Sequence, residues 1–301
     1  LGDVLQCGYH GLEFDATGNC VAVPGQTRVP PGSRVRCWPV IEKYQYIWVW
    51  MGDADKADES LLPDWHVMDD PDWAVVKGDP PFQIPCHYEL FNDNLLDLSH
   101  LAYVHIKNIG TAAVPDFPIV TTKTANTVRM IRWILDSPPA PLYAHFGGFT
   151  DNIDRWQYAE AMVPSFNTVR VGCLPAGCGA QPGDHPDNFS PKSGGRNAQG
   201  FEFYNLNAIT PETESSTWYF YAHSRNFAQE DPNMDEEFRH ELRAAFQEDV
   251  DILEAQQMNM ARHAHDPKDW VDINVDGPGL ALRRMVVDAI SAEHKQSARV
   301  L

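Results

Sequence analysis

The chain has 301 residues, of which 43% are hydrophobic, 22% charged and 11% aromatic, so it can bury the core of one large domain or of two moderate ones. Its formal net charge of −19 excludes nucleic acid and anionic membrane surfaces as main partners, because binding to either needs a basic protein surface. A local basic patch that binds an acidic redox partner remains compatible with this charge. No apolar run approaches the roughly 20 residues that a membrane-spanning helix needs.

The first residues lack the features of a targeting signal. The chain begins Leu1-Gly2-Asp3, without an initiating Met and without the basic and apolar regions of a signal peptide, so we expect the natural N-terminus to lie upstream. Six irregularly spaced cysteines in a chain of this length do not indicate a disulfide scaffold. We therefore expect a soluble protein of a reducing compartment, with the cytoplasm as the default.

The N-terminal third predicts short strands followed by a helix. Glycines and a Pro pair punctuate residues 1–52, which end near a strong strand pattern at residues 46–50. Residues 53–81 are rich in Asp and Pro and show little periodicity, which is typical of a linker or connecting loop. The pattern becomes helical over residues 88–105.

The remainder predicts a sheet and two helices. Strand patterns return over residues 116–225, for example at 127–134 and 216–221, and are interrupted by residues 172–200, whose Gly, Pro, Asn and Ser content predicts a long mobile loop. A long helix is predicted over residues 232–265, with a short C-terminal helix after Gly279. The order of these elements predicts a small β domain attached to an α+β domain.

The first candidate metal site is Cys7-Gly8-Tyr9-His10-Gly11. In a Rieske [2Fe–2S] centre, two cysteines hold one iron and two histidines the other, and each of two loops gives one Cys and one His. A Cys-x-x-His alone is a weak signal, because two such residues also become neighbours by chance. The following Leu-Glu-Phe and the hairpin turn predicted over residues 15–18 make this segment similar to the second cluster-binding loop of Rieske oxygenases.

The first cluster-binding loop of that family, a Cys-x-His, has no counterpart in the sequence. It would fall before Leu1, and Cys20 and Cys37 have no histidine at the required spacing. We therefore expect Cys7 and His10 to be the cluster ligands that this sequence supplies. Because the surrounding loop is intact, we interpret the difference as a truncation and not as an altered cluster.

Polar residues interrupt the helix predicted over residues 88–105. Asn94, Asp97 and His100 follow one another at i+3 and form a slanting stripe, whereas His105 lies about 140° from His100 on an ideal helix. Both imidazoles can reach one metal only if the helix ends or distorts between them. The alternative is a hydrogen-bonded polar network inside the core. Two imidazoles and a carboxylate would form the facial triad of non-haem iron oxygenases.

The long C-terminal helix offers the carboxylate, because Asp249 lies in the middle of its predicted core-facing arc. The apolar members of that arc are Phe238, Leu242, Ala245, Phe246, Ile252 and Leu253. Three other acids of the helix are predicted to point toward solvent, namely Glu248, Asp251 and Glu254. An ionised Asp on an apolar face is costly unless it is paired or metal-bound, so we predict Asp249 as the third ligand. The alternative is a buried salt bridge with an arginine, such as Arg129, Arg132 or Arg243.

Taken together, these segments resemble the oxygenase components of the vanillate O-demethylase group, which includes dicamba O-demethylase and related aromatic-ring monooxygenases. The resemblance rests on the Asn-x-x-Asp-x-x-His-x-x-x-x-His pattern of residues 94–105 and on Glu248-Asp249 with the Leu-Glu-Ala-Gln-Gln of residues 253–257. Residues 210–214 and 271–279 fit the same group, and the resemblance covers nearly the whole chain.

The resemblance implies the fold and the cofactors. Residues 1–52 would be the C-terminal part of a Rieske domain and residues 53–81 a linker. Residues 82–301 would be a helix-grip (START-like) catalytic domain of the α+β class, in which an antiparallel sheet curves around a long C-terminal helix. A Rieske [2Fe–2S] cluster and a mononuclear Fe(II) are implied. Members assemble head to tail as homotrimers, so that the cluster of one subunit lies near the mononuclear iron of the next.

The resemblance also implies the roles of single residues. The ligands of the catalytic iron would be His100, His105 and Asp249. Asp97 would link His100 to the Rieske histidine of the neighbouring subunit, which corresponds to His10, and Asn94 would lie close to the iron. A carboxylate that is hydrogen-bonded to a metal-bound imidazole fixes its tautomer and raises its basicity.

The implied activity is that of the oxygenase component of a monooxygenase. Electrons from a reductase or ferredoxin would reach the cluster and then the iron, and O₂ would serve to hydroxylate or O-demethylate a small aromatic substrate such as a vanillate-like acid. Phe201, Phe203, Asn205 and Asn207 share one face of a predicted strand. We predict that this face, and Asn207 in particular, lines the substrate pocket, with ordinary sheet packing as the alternative.

Three other functions stay open. A helix-grip protein that binds hydrophobic ligands would need neither iron nor an acid on the apolar face of the helix. A zinc metallohydrolase with the same His and Asp set would leave Cys7 and His10 unexplained. A Rieske protein that only transfers electrons would not need the polar cluster of residues 94–105.

Overall fold

The computed structural model describes residues 2–191, 200–263 and 271–297. The chain divides into two compact units, Leu1–Asp64 and Trp65–Leu301. No helix within these described ranges is long and apolar enough to cross a membrane.

The first unit consists of short antiparallel strands. Three of them, β1 (Leu5–Gln6), β2 (Glu13–Phe14) and β3 (Cys20–Ala22), form one sheet in that order. A separate pair is formed by β4 (Val40–Lys43) and β5 (Tyr46–Val49). The strand predicted at residues 46–50 is therefore confirmed.

The turn between β2 and β3 follows from its local chemistry. The Asp15 carboxylate accepts hydrogen bonds from the backbone N–H groups of Thr17 and Asn19 at 2.9 and 3.1 Å, as an Asx turn does. Gly18 has a φ of +82°, and a Cβ at this position would lie 2.4 Å from the carbonyl oxygen of Val35. Only glycine satisfies both conditions, and the predicted hairpin turn is confirmed.

The second unit is organised around an antiparallel sheet. Its strands are β6 (Ala74–Lys77), β7 (Phe82–Ile84), β8 (Val120–Lys123), β9 (Thr127–Ser137), β10 (Ile153–Met162), β11 (Phe166–Pro175), β12 (Phe201–Thr213) and β13 (Ser216–Arg225). Seven of these eight described strands lie in the order β6-β13-β12-β11-β10-β9-β8, and β7 also pairs with β13. Both strand patterns that the sequence predicts, at residues 127–134 and 216–221, lie within this sheet.

Four α-helices lie in the described part of the second unit. They are α1 (Tyr88–Leu96), α2 (Pro141–Gly147), α3 (Met234–His263) and α4 (Gly277–Ser297). Three acids occupy the first turn of α3, where they face the partial positive charge of a helix N-terminus. The α3 helix packs on the sheet, because the ring of Phe238 lies 5.0 Å from that of Phe203 on β12 and the ring of Phe246 lies 5.7 Å from that of Tyr219 on β13. The predicted α+β class, with a sheet against a long helix, is confirmed.

The segment expected to be a linker contributes to the second unit. Its strand β6 pairs with β13, and Trp65 is fully buried, with its indole N–H donating to Thr168 Oγ1 at 2.9 Å. Short strands at a sheet edge carry a weak periodic signal, which explains why the sequence predicted a loop here.

The other boundaries differ in smaller ways. The C-terminal helix is not short, since α4 runs for 21 residues from Gly277. Within the predicted loop 172–200, β11 continues to Pro175. The chain that follows is tied to β9 by a hydrogen bond of 2.9 Å from the indole N–H of Trp133 to the carbonyl oxygen of Asp184. Residues 192–199 of that loop, and residues 264 and 265 at the predicted end of the long helix, lie outside the described residues.

Candidate metal centre

The helix predicted over residues 88–105 breaks before its end. It stops at Leu96, Asp97 takes extended backbone angles (φ −110°, ψ 91°), and a 3₁₀ turn follows over Leu98–Ala102. His105 lies beyond this turn, and its carbonyl oxygen accepts from the backbone N–H groups of Asn108 and Gly110 at 3.1 and 2.8 Å. The distortion that a shared metal would require between the two histidines is therefore present.

Close contact between two stretches of backbone fixes this break. A Cβ on Gly110 would lie 1.7 Å from the carbonyl oxygen of Leu101 and 3.0 Å from that of His105. Because backbone atoms cannot move aside as a flexible side chain can, the chain can fold back over Leu101 only with glycine at position 110.

Three side chains converge where this segment meets α3. Nε2 of His105 lies 3.0 Å from Oδ1 of Asp249, and Nε2 of His100 lies 3.5 Å from the same oxygen. The potential ligand atoms of the three residues all lie within 4.8 Å of one another. His105 and Asp249 are buried, at 1% and 5% exposure. Two imidazoles and a carboxylate at this spacing are a donor set that Fe(II) uses, and small side-chain movements would close it on one ion.

Hydrogen bonds on the far side of each ring orient the two imidazoles. Nδ1 of His100 lies 2.5 Å from the main-chain carbonyl oxygen of Asp97, and Nδ1 of His105 lies 2.8 Å from the carboxylate of Glu248. Both partners can only accept, so each ring donates from Nδ1, and Nε2 faces the centre, where a metal would take its lone pair. This is the arrangement that metal-binding histidines need.

Glu248 was predicted to point toward solvent, but its side chain is only 34% exposed. Its carboxylate accepts from His105 and, at 3.1 Å, from Nδ2 of Asn108. The helical arc alone places Glu248 outside the core face, but the turn that carries His105 wraps around that side of α3. The one sequence signal for Glu248 is its position next to Asp249. Ile252, predicted to face the core, is instead 49% exposed.

Asp97 and Asn94 adjoin the centre in different ways. The Asp97 carboxylate accepts from the backbone N–H of Ser99 at 2.8 Å and so caps the 3₁₀ turn, while its main-chain carbonyl contacts His100. The side chain expected to touch that imidazole is therefore directed elsewhere within this chain. Nδ2 of Asn94 donates to Oδ1 of Asp249 at 3.0 Å, and the buried Oδ1 of Asn94 has no hydrogen-bond partner among the described residues.

The charge of Asp249 is opposed by imidazoles and not by an arginine. The three arginines considered as its partners bind other groups: Arg129 pairs with Glu160, Arg132 donates to Ser99, and Arg243 donates to Tyr221. Burial lowers the pKa of His100. Burial also acts to lower the pKa of His105, but hydrogen bonds with Asp249 and then Glu248 outweigh it and raise that pKa. A buried acid beside two orientated imidazoles is a stronger indication of a metal than of a structural ion pair.

An apolar cavity opens onto the three residues. Its lining is Asn94, Leu95, Leu98, His100, Leu101, His105, Ile109, Tyr143, Val169, Val171, Phe203, Asn205, Leu242, Phe246 and Asp249. Of the strand face proposed as pocket lining, Phe203 and Asn205 take part. Asn207 is not among these lining residues; it is fully buried, accepts from the Tyr219 hydroxyl at 2.6 Å and donates to the carbonyl oxygen of Asn167 at 3.1 Å.

His223 is a buried polar residue that sequence reasoning missed. Its Nδ1 lies 2.6 Å from Oδ1 of Asn205, and its Nε2 has no hydrogen-bond partner within the described ranges. Burial lowers the pKa of His223 to about 3, so the ring is neutral and donates from Nδ1. The bond turns the amide nitrogen of Asn205, a donor, away from His223. A histidine inside the aromatic-rich strand β13 gives no signal of its own in the sequence.

Cys7 and His10 lie on one exposed turn of the first unit. The turn is closed by hydrogen bonds from the backbone N–H of Gly11 to the Cys7 carbonyl at 2.9 Å and from the N–H of Cys7 to the Leu12 carbonyl at 2.8 Å. Backbone N–H groups of Tyr9 and then His10 lower the pKa of the Cys7 thiol, which favours the thiolate that binds iron. A thiolate and an imidazole presented together fit one half of a Rieske ligand set.

Two family models match the chain. The vanillate O-demethylase oxygenase C-terminal domain matches residues 84–292, which carry His100, His105 and Asp249. The Rieske [2Fe–2S] domain matches residues 1–39, which carry Cys7 and His10.

Curated relatives and a solved structure agree with these matches. The chain is 35% identical over 300 residues to a vanillate O-demethylase oxygenase subunit of a Pseudomonas species, covering 98% of this chain and 79% of the relative. It is 31% identical over 292 residues to the iron-sulfur subunit of a toluene-4-sulfonate monooxygenase system of Comamonas testosteroni, covering 96% and 80%. The crystal structure of dicamba monooxygenase bound to 3,6-dichlorosalicylic acid superimposes with a TM-score of 0.85 at 30% identity, covering 97% of this chain and 81% of that one.

Proposed function

Because this chain belongs to the vanillate O-demethylase oxygenase family of Rieske oxygenases, we propose that it uses O₂ and external electrons to hydroxylate or O-demethylate a small aromatic acid. The observation that carries the proposal is the convergence of His100, His105 and Asp249 at the end of an apolar cavity. These three residues would hold a mononuclear Fe(II), and Cys7 and His10 would bind the Rieske cluster. When bound, the two cofactors supply the electron transfer and the O₂ activation that side chains cannot perform.

The protein's own residues prepare the iron site. The Asp97 carbonyl and the Glu248 carboxylate hold both imidazoles with Nε2 directed at the centre. Asn94 fixes the rotation of the Asp249 carboxylate by donating to one of its oxygens. Contacts of this kind restrict the rotamers of the ligand side chains, which limits the side-chain entropy that metal binding costs.

The cavity suits a flat apolar ring that carries one polar group. Phe203, Phe246 and the aliphatic residues around them exclude water from the ring, which limits side reactions. Asn205, orientated by His223, offers an amide donor to an acceptor on the substrate. Relatives act on vanillate and on toluene-4-sulfonate, and a related structure binds 3,6-dichlorosalicylic acid, all of which are aromatic acids. We therefore replace Asn207 with Asn205 as the proposed polar contact of the substrate.

We also propose the assembly that electron delivery needs. A reductase or ferredoxin would reduce the cluster, and a head-to-tail homotrimer would bring the cluster of one subunit to the iron of the next, with Asp97 at the junction. The segment that carries the two histidines supports a protein contact there, because Tyr103, between them, is 78% exposed and Ile106, directly after His105, is 41% exposed. In this proposal residues 1–52 belong to the Rieske domain and residues 82–301 form the catalytic domain. Six free cysteines and the need for a reduced donor favour the cytoplasm.

The test is product formation with a methoxylated aromatic acid. The protein is supplied with O₂, a flavin reductase with its ferredoxin, and vanillate, and formaldehyde and the phenolic product are measured. We expect both products in equal amounts in the wild type and neither with the Asp249→Ala variant. Hydroxylated products without formaldehyde would assign ring or methyl hydroxylation instead. Consumption of a supplied aromatic ester without O₂ would overturn the oxygenase proposal and favour a hydrolase.

The alternatives lack a comparable observation. A protein that only binds hydrophobic ligands gains nothing from a buried Asp249 between two histidines, since an unpaired carboxylate is costly in an apolar cavity. A zinc hydrolase would not account for the Rieske match over residues 1–39. An electron-transfer protein would not account for the catalytic-domain match over residues 84–292.

A further inference from the structure

We propose that Arg132 and Arg155 are positioning residues that hold the segment carrying both iron-ligand histidines, residues 97–116, against the sheet and thereby set the geometry of the metal site. This inference rests on the proposed function, because it takes His100 and His105 as ligands of one iron. Both arginines are buried, at 2% and 1% exposure. They lie on the adjacent strands β9 and β10, where Arg132 pairs with Gln157 and Arg155 with Ile134, so the two side chains share one face of the sheet.

The segment needs such support, because no strand ladder or α-helix within it fixes the histidines. It leaves α1 at Asp97, makes a 3₁₀ turn over Leu98–Ala102, passes through irregular turns, and makes a second 3₁₀ turn over Val114–Asp116 before β8 begins. A stretch of this kind gains its position from contacts with its surroundings. A shift of a few tenths of an ångström in either histidine would alter the metal site.

Arg132 holds the part that carries His100. Its Nη2 donates to the hydroxyl of Ser99, the residue before His100, at 2.7 Å. Its Nε donates to the carbonyl oxygen of Phe117, the residue directly after the segment, at 3.2 Å, and its Nη1 donates to Gln157 at 3.2 Å. One guanidinium thus joins the start of the segment, its end and the sheet.

Arg155 holds the part that follows His105. Its Nη2 donates to the Thr111 hydroxyl at 2.6 Å, and its Nη1 donates to the Ile109 carbonyl at 3.2 Å. Gly110, between these two residues, donates its N–H to the His105 carbonyl at 2.8 Å. Arg155 also lies 5.4 Å from the ring centroid of Tyr143, which lines the cavity. Its contacts therefore reach the second histidine and the cavity wall together.

The chemistry of these contacts argues against an ordinary structural ion pair. All five acceptors are neutral oxygens, and Nε of Arg155 has no hydrogen-bond partner in the described part of the chain. Burial lowers the pKa of both guanidinium groups, although the charge of Asp97 acts to raise that of Arg132, so burying two guanidinium groups that donate only to neutral acceptors is costly. A planar guanidinium can, however, donate several hydrogen bonds in fixed directions, which is what connecting separate turns requires.

The test measures the metal site itself. Fe(II) affinity is determined by competition with a chromophoric chelator, and the geometry of the site by the absorption spectrum after substitution with Co(II). The variants are Arg132→Lys, Arg132→Met and Arg155→Met, with Ser99→Ala and Thr111→Val to remove single contacts while both arginines remain. Arg129→Met is the matched control, because Arg129 lies on the same strand, faces the other side of the sheet and pairs with Glu160.

We expect the Ser99→Ala, Thr111→Val and Arg→Met variants to bind Fe(II) about tenfold more weakly and to show a changed Co(II) spectrum. Arg132→Lys should recover little, because an ammonium cannot copy the fork of donors. Wild-type affinity and an unchanged spectrum in both Ser99→Ala and Thr111→Val would overturn the proposal, and these two variants decide the outcome if the Arg→Met proteins do not fold. If the wild type and an Asp249→Ala variant bind Fe(II) equally, the assignment of the iron ligands is wrong. This outcome therefore distinguishes a failure of the proposed iron site from a failure of the positioning role of the two arginines.

Discussion

Substituting Glu248 by Gln and by Ala tests whether this carboxylate strengthens the metal site through its charge or only through its position. Glu248 accepts from Nδ1 of His105 at 2.8 Å and from Asn108 at 3.1 Å. Glutamine keeps an oxygen acceptor of the same reach but loses the charge, whereas alanine loses both. A hydrogen bond with a charged partner contributes about 1.5–3 kcal/mol. Because the side chain is 34% exposed, solvent screening places the effect just below this range, at about 1.4 kcal/mol, or roughly a tenfold weaker Fe(II) affinity for alanine.

The assay is Fe(II) binding by chelator competition, with Glu254→Ala as the control because Glu254 is an exposed acid of the same helix. We expect the affinity to fall in the order wild type, Glu248→Gln, Glu248→Ala, with the control unchanged. The visible spectrum of the cluster should be the same in all four proteins. Wild-type affinity in the Glu248→Ala protein would show that His105 binds the metal equally well without a carboxylate behind it, contrary to this prediction.

Three further predictions follow from single contacts. Gly110→Ala should lower the free energy of unfolding by about 1–3 kcal/mol or more, which is measured as a lower melting temperature. The control Gly277→Ala should not lower it, because the space around Gly277 is open. Equal melting temperatures of the two variants would contradict the close contact between Gly110 and Leu101. The folded-state pKa of His223, about 3, lies below its unfolded value near 6.5, so the unfolded state binds more protons between these values and the free energy of unfolding falls as the pH drops through that window. His223→Gln should reduce the slope of the free energy of unfolding against pH by up to about 1.4 kcal/mol per pH unit, measured by denaturant titration at several pH values. An unchanged slope would show that this ring does not contribute. Asn205→Leu should raise the KM for an aromatic acid about tenfold with a smaller effect on kcat, and an unchanged KM would remove Asn205 from the substrate site.

The residues whose burial costs the most free energy were the easiest to predict from the sequence. Asp249 stands out because a carboxylate on an apolar helix face needs an unusual partner, and the structure places it beside His100 and His105. The long helix and the long strands were predictable for a similar reason, since their apolar patterns repeat over many residues. Their ends were not, because termini depend on a few local hydrogen bonds.

The residues that the sequence did not reveal act through tertiary contacts. Glu248 acquires its role because a turn from a distant segment passes beside α3, and His223 acquires its role from Asn205 on the neighbouring strand. Period-2 alternation grouped Asn205 with Asn207, because it identifies the face of a strand but not how far along the strand the cavity extends. The side chain of Asp97 likewise caps a turn that helical periodicity does not anticipate.

The central claim is that His100, His105 and Asp249 hold a mononuclear iron that is separate from the Rieske cluster. Its most direct test is the iron and acid-labile sulfide content, with the visible spectrum of the cluster, of purified protein that also carries the first cluster-binding loop, in the wild type, Asp249→Ala and Glu254→Ala. We expect Asp249→Ala to lose about one iron per chain while sulfide and the cluster spectrum stay unchanged, and Glu254→Ala to match the wild type. Equal iron in the wild type and Asp249→Ala, or zinc without sulfide in the wild type, would contradict it.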